Sequence, residues 1–289
     1  MRLSLRFFYL LTLLVIAACK PTGDAMSDTQ KIDWDSLTFA CKKEVQSPLN
    51  REAQVWYRRA RDLQDQDEDK NIKYIVELFE KAIERDHYNA MQRLALLYVY
   101  GAEGFPQNHR KAADLVERVI KLNVASGYYQ MGVFLEQGIG VKEDPKAALI
   151  YMRKAADMGS PHAQFTVGKK LLNIEGEAIR EKAVPLGVSM LECALSQDFS
   201  EAGYRLGTFY GVTGRPQEAL RVLQKSGELG HSMSLWSLYS IFNDGEYGIT
   251  KDAQRAVCYR KLSKEVDEDK TKKYPNLNKI CPLPPTPMP

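Results

Sequence analysis

An all-α fold made of stacked helix pairs, an α-solenoid, is what this sequence predicts, and three observations predict it. The middle of the chain is self-similar, in units that begin at Asp86, Asn123, Gly159, Asp198 and Gly230, spaced 37, 36, 39 and 32 residues apart. Small or apolar residues recur at fixed places in each unit. Ala90, Gly127, Ala163, Ala202 and Ser234 stand four positions after the start, and Leu94, Met131, Val167, Leu206 and Leu238 stand eight after. Ala95, Gly132, Gly168, Gly207 and Tyr239 come next, then Tyr98, Leu135, Leu171, Tyr210 and Phe242 at twelve, so all of these share one helix face. The third observation is a second helix in each unit, announced by a cap in three of them, while in the fourth Gly214-Arg215-Pro216 replaces the longer turn. Asn108, Asp144 and Asp252 each precede an amphipathic run, and Pro145 suits a first helical position.

The elements follow in chain order. Arg2 and Arg6 precede the apolar run Phe7 to Ile16, and Ala17 and Ala18 close it, which reads as a secretory signal over residues 1–18. Its ten-residue core falls short of the roughly 20 residues that a membrane span needs. Ile16, Ala17, Ala18 and Cys19 resemble a bacterial lipobox. That resemblance implies cleavage before Cys19, acylation of Cys19 with fatty acids such as palmitate, and a permanent lipid anchor, since each buried methylene contributes about 0.8 kcal/mol. Lys20 follows where an Asp would imply inner-membrane retention, so the resemblance implies the outer membrane, facing the periplasm. Residues 19–50 then read as the lipidated Cys with a polar, flexible tether and an N-terminal segment. The solenoid is expected over 51–264, opening with a helix pair at 51–63 and 72–85 around the charged turn Asp65 to Lys70. Residues 265–289 hold six of the chain's 13 prolines, and predict an extended or polyproline tail that packs on the last repeat. Leu277, Ile280 and Leu283 are spaced to seal the open end of the array there.

Composition removes several functional classes. Without Arg2 and Arg6 the chain carries 38 basic against 37 acidic residues, which is no electrostatic footprint for nucleic acid. Beyond Cys19 there are Cys41, Cys193, Cys258 and Cys281, none in a CxxC spacing, so no zinc site is expected. An oxidising compartment permits up to two disulfides among these four, in three connectivities. Cys258 with Cys281 is the candidate pair, tying the tail to the last helix, whereas Cys193 replaces Ala or Val of other units and favours burial as a thiol.

The repeat resembles the Sel1-like family, TPR-related helix pairs, most clearly from Gly127-Tyr128-Tyr129-Gln130-Met131-Gly132 through Gly159 to Gly168. The resemblance implies a right-handed superhelix over residues 51–264 and, as for most such solenoids, protein binding. The ending Tyr274-Pro275-Asn276-Leu277-Asn278-Lys279-Ile280-Cys281-Pro282-Leu283-Pro284-Pro285, and the segment Phe39 to Glu44, are similar to a narrower group of bacterial envelope lipoproteins. Members of that group act as immunity proteins against lipase effectors of type VI secretion. Cys281 departs from the aliphatic residue usual there, and the Trp that often follows the prolines is missing.

No catalytic constellation is legible. His87, His109, His162 and His231 lie on different repeats, without HxxxH or HExxH spacing, and read as exposed polar residues at helix starts. Gly230-His231-Ser232-Met233-Ser234 lacks the last glycine of a nucleophile elbow and sits in a helix–helix turn. A binding row is legible instead. Six positions after each start come Gln92, Tyr129, Phe165, Tyr204 and Trp236. By analogy with related solenoids Tyr129, Phe165, Tyr204 and Trp236 line the concave face as partner-binding anchors. Packing between neighbouring helices is the competing reading of the same aromatics. Together these signals predict no enzyme, no cofactor and no metal. They predict a periplasm-facing lipoprotein that binds and neutralises a phospholipase effector, or, alternatively, a scaffold for envelope or cell-wall complexes.

Overall fold

The computed structural model describes residues 37–45, 48–66, 71–285 and 288. The signal 1–18, the lipobox Ile16, Ala17 and Ala18, the lipidation residue Cys19 and the tether lie outside the described residues.

Among the described residues thirteen α-helices follow one another without a strand; Ala102 and Phe105 make only an isolated bridge. The first pair is α1 (Arg51–Gln66) with α2 (Ile72–Ile83). Next come α3 (Tyr88–Tyr100) with α4 (His109–Lys121), and α5 (Ala125–Gln137) with α6 (Pro145–Asp157). Then follow α7 (Pro161–Leu172) with α8 (Glu177–Leu195), and α9 (Ser200–Val212) with α10 (Pro216–Glu228). In the last unit α11 (Ser232–Ser240) runs through a π-turn at Ile241–Gly245 and a 3-10 turn at Glu246–Gly248 into α12 (Ala253–Glu268). Each helix packs chiefly on its neighbours in sequence, the signature of a solenoid.

Local chemistry explains the boundaries. The side chains of Asn108, Asp144 and Asp252 accept from backbone N–H groups of the turns they open, as capping residues do. The five unit starts share one backbone feature. Asp86, Asn123 and Asp198 have φ of 54°, 54° and 64°, and Gly159 and Gly230 have 102° and 86°, so each unit opens on a left-handed residue that stops the preceding helix. The small residue at the ninth position is needed for helix approach. A Cβ on Gly132 would lie 2.7 Å from Met152 Cγ and 3.0 Å from the Ala148 carbonyl oxygen of α6.

Three expectations are corrected. His87 is wholly buried rather than exposed: its Nδ1 accepts from Ala90 N at 3.2 Å, its Nε2 meets Gln54 Oε1 at 3.0 Å, and Tyr57 stacks on it at 4.6 Å. Cys193 is buried, yet it is not a thiol; it is bonded to Cys41, with Cα atoms 5.5 Å apart. The tail is not wholly extended. Leu277–Ile280, a stretch free of proline, forms the short helix α13, and Ile280 turns outward while Leu277 and Cys281 are buried. Cys258 is bonded to Cys281. The tail lies across α10 and α12. The Cys281 carbonyl accepts from Gln224 Nε2 at 2.9 Å and Tyr259 OH at 2.7 Å, the Pro282 carbonyl accepts from Arg255 Nε at 2.9 Å, and Tyr274 N donates to the Glu228 carbonyl at 2.9 Å.

Candidate partner-binding surface

The first helices of successive units stand side by side, so the residues at one offset form a row. Ser126 Oγ donates to Gln92 Oε1 at 3.2 Å, which joins α5 to α3. The Tyr129 hydroxyl lies 3.3 Å from that of Thr166 in α7, with its ring 5.9 Å from His162. Phe165 lies 5.2 Å from Phe199, which precedes α9, and Tyr204 lies 5.3 Å from His231, which caps α11. Each of these four residues is therefore half-buried against the unit that follows, as the packing reading requires. Trp236 belongs to the last such helix. It is 43% exposed, with its ring 4.8 Å from Tyr239, over which Arg260 lies at 5.5 Å. Of the four aromatic candidates, Trp236 alone is exposed.

A second feature escaped the row. A groove of about 510 Å³ opens along the first four first-position helices, with Tyr57, Gln92, Leu96, Tyr100, Tyr129 and Val133 among its walls. Leu96 and Tyr100 are 41% and 75% exposed, so the face of α3 is apolar where a solvated helix would be polar. Among the described residues no carboxylate lines this groove; Arg93 and His162 are its basic groups. The signal was present in the sequence as two large apolar residues ten and fourteen positions after Asp86, off the core face.

His231 and Ser234 are close, with Nδ1 3.0 Å from Oγ, but the same Nδ1 accepts from Ser234 N at 3.2 Å as a helix cap. Ser234 is buried and donates its hydroxyl to Ser226 at 2.7 Å. The pair is structural, not a nucleophile with its base. Among the described residues no three His, Cys, Asp or Glu side chains converge as metal ligands would. No described helix is long and apolar enough to cross a membrane.

Comparison with known proteins agrees with this architecture. The Sel1 repeat model matches residues 89–123, 125–160 and 200–231. Among solved structures, the immunity protein Pa5087 of Pseudomonas aeruginosa is 32% identical and superposes with a TM-score of 0.66, over 86% of this chain and 96% of that one. Pseudomonas aeruginosa PA5086 is 30% identical, with a TM-score of 0.67 over 87% and 97% of the two chains. The immunity protein PA5088 of the same organism is 27% identical, with a TM-score of 0.69 over 86% and 95%. The match spans between about a fifth and just over a third of the length of the curated relatives.

Proposed function

This chain belongs to the Sel1 repeat family, and from that premise we propose that it is an immunity protein, which neutralises a phospholipase effector of type VI secretion by stoichiometric binding. The observation that carries the reading is the end-to-end likeness to Pa5087, at 32% identity over 96% of that chain. A solenoid offers a long surface made of side chains on rigid helices, which suits a partner of fixed shape. The groove between Tyr57 and Val133, and Trp236 at the other end of the row, supply the aromatic anchors on which tight interfaces depend. An inhibitor of an injected enzyme needs slow dissociation and an interface on the order of 1,600 Å² or more.

In this proposal Cys19 carries the fatty acids that hold the chain at the outer membrane, facing the periplasm, where a phospholipase attacks. Anchoring in the plane of the substrate raises the local concentration of inhibitor around it. The protein needs no cofactor or metal for this and performs no catalysis. Co-expression tests the proposal. A phospholipase encoded beside this gene, directed to the periplasm, is expected to kill cells that lack the chain and to spare cells that make it. Killing that is indifferent to the chain would overturn the proposal.

A further inference from the structure

Residues 37–45 have no secondary structure of their own, yet groups from successive units hold them. Phe39 packs against Met152, Val167 and Met190. The wholly buried Gln164 donates from Nε2 to the carbonyls of Lys42 at 3.0 Å and Ala156 at 3.2 Å. Gln197 completes a clamp. Its Nε2 donates to Gln164 Oε1 at 2.9 Å and to the Gly159 carbonyl at 3.0 Å, and its Oε1 accepts from Glu44 N at 2.9 Å. Arg153 reaches the Thr38 carbonyl. Cys41 is bonded to Cys193 near the end of α8.

The backbone is shaped for this passage. A Cβ on Gly159 would lie 2.6 Å from the Lys43 carbonyl carbon and 2.7 Å from Glu44 N. Gly230 holds the same place in the last unit, and there the tail crosses: a Cβ would meet the Lys272 carbonyl oxygen at 2.2 Å. The two unit starts that hold glycine are thus places where the backbone of a terminal segment lies directly against the turn. At the other three, Asp86, Asn123 and Asp198 keep the left-handed turn with a side chain.

We propose that the edge of the solenoid at α6, α7 and α8 is a built site for an extended chain segment, occupied by the protein's own residues 38–44, and that the Cys41–Cys193 disulfide locks this occupant in place. The amides of Gln164 and Gln197 and the guanidinium of Arg153 read backbone groups, so they recognise an extended peptide as such. The contacts from Arg153 and Gln164 end on the exposed residues Thr38 and Lys42, where water competes, and the covalent bond decides whether the strap stays. Closing the lock removes two protons and two electrons from the thiols of Cys41 and Cys193, and passes them to a disulfide of an oxidant protein or small molecule, which leaves as a dithiol. The locked strap joins three consecutive helices and stiffens the units that carry Tyr129 and Phe165. This inference does not depend on the identity of any partner, so its failure leaves the proposed function standing.

Trypsin reads the lock directly, because Lys42 and Lys43 are exposed but cleavage needs the local chain to leave its site. In the oxidised full chain, cleavage after Lys42 and Lys43 is expected to be slow, and the Glu44 amide protected from exchange. Cys41→Ser is expected to speed that cleavage by about tenfold or more and to expose the Glu44 amide, while the tail at 274–281 keeps its protection. Equal rates in the two proteins would overturn the proposal. Phe39→Ala, which changes the strap and leaves every residue of the solenoid helices in place, covers the case in which Cys41→Ser fails to fold. With the disulfide intact its cleavage rate is expected to stay within about threefold of the wild type, and to rise further only on reduction. A strap released in Phe39→Ala with the bond closed would equally overturn the proposal.

Discussion

His87 shows how far a single residue can be read from sequence. Its place one position after a unit start marks it as a helix opener, and it does cap α3. Its burial was not legible, because the groups that cover it, Gln54 and Tyr57, come from α1, some thirty residues earlier. Burial holds the imidazole below its ordinary 6.5, since the charged form loses its water. His231, half-buried beside Tyr204, is shifted the same way for the same reason. The unfolded chain therefore binds these protons more readily than the folded one. Stability is complete above about pH 6.5 and is lost as pH falls through the lower folded values. Thermal melting is expected to drop from pH 7 to pH 5, and His87→Asn, which keeps a capping acceptor but does not titrate, is expected to flatten that slope. Tyr259 gives a second test. Its hydroxyl donates to the Cys281 carbonyl at 2.7 Å and accepts from Gln224 at 3.2 Å, inside the last core cluster. Tyr259→Phe leaves those partners short of one bond and should cost about 1–3 kcal/mol in urea unfolding.

At the scale of the elements the helix pairs were legible almost throughout, because offsets four, eight, nine and twelve repeat together and only one face of a helix satisfies all of them. Gly132 carries the argument most plainly. The Ala148 carbonyl oxygen, a backbone atom that cannot turn aside, would stand 3.0 Å from an added Cβ. Gly132→Ala should therefore destabilise by about 1–3 kcal/mol despite its better helix propensity, as chemical denaturation will read. The aromatic row was legible as a pattern but not in its role. Tyr129, Phe165 and Tyr204 each meet a following unit, whereas Trp236 meets none among the described residues and is exposed. Trp236→Ala is accordingly expected to weaken partner binding by about tenfold or more while leaving the melting temperature nearly unchanged. Tyr204→Ala is expected to do the reverse. The strap and the bend of the tail were not legible, because both depend on contacts between segments distant in sequence that no period announces.

Over the whole molecule, an open stack of helix pairs has only nearest-neighbour contacts to resist bending, and two long-range bonds act against this. Cys41–Cys193 closes a separation of 152 residues, and Cys258–Cys281 one of 23. In the chain-entropy account the first contributes about 5 kcal/mol and the second about 3 kcal/mol. Each fastens a terminal segment to the repeats that it crosses. The result is a scaffold with a fixed face, which suits stoichiometric binding of a partner of fixed shape. The most direct measurement of the proposed role is a titration of the mature chain into a phospholipase encoded beside its gene, with hydrolysis of phospholipid vesicles followed at each addition. The account predicts that hydrolysis falls to background at one equivalent and that calorimetry gives the same stoichiometry. Hydrolysis that continues undiminished in excess chain, with no heat of binding, would contradict it.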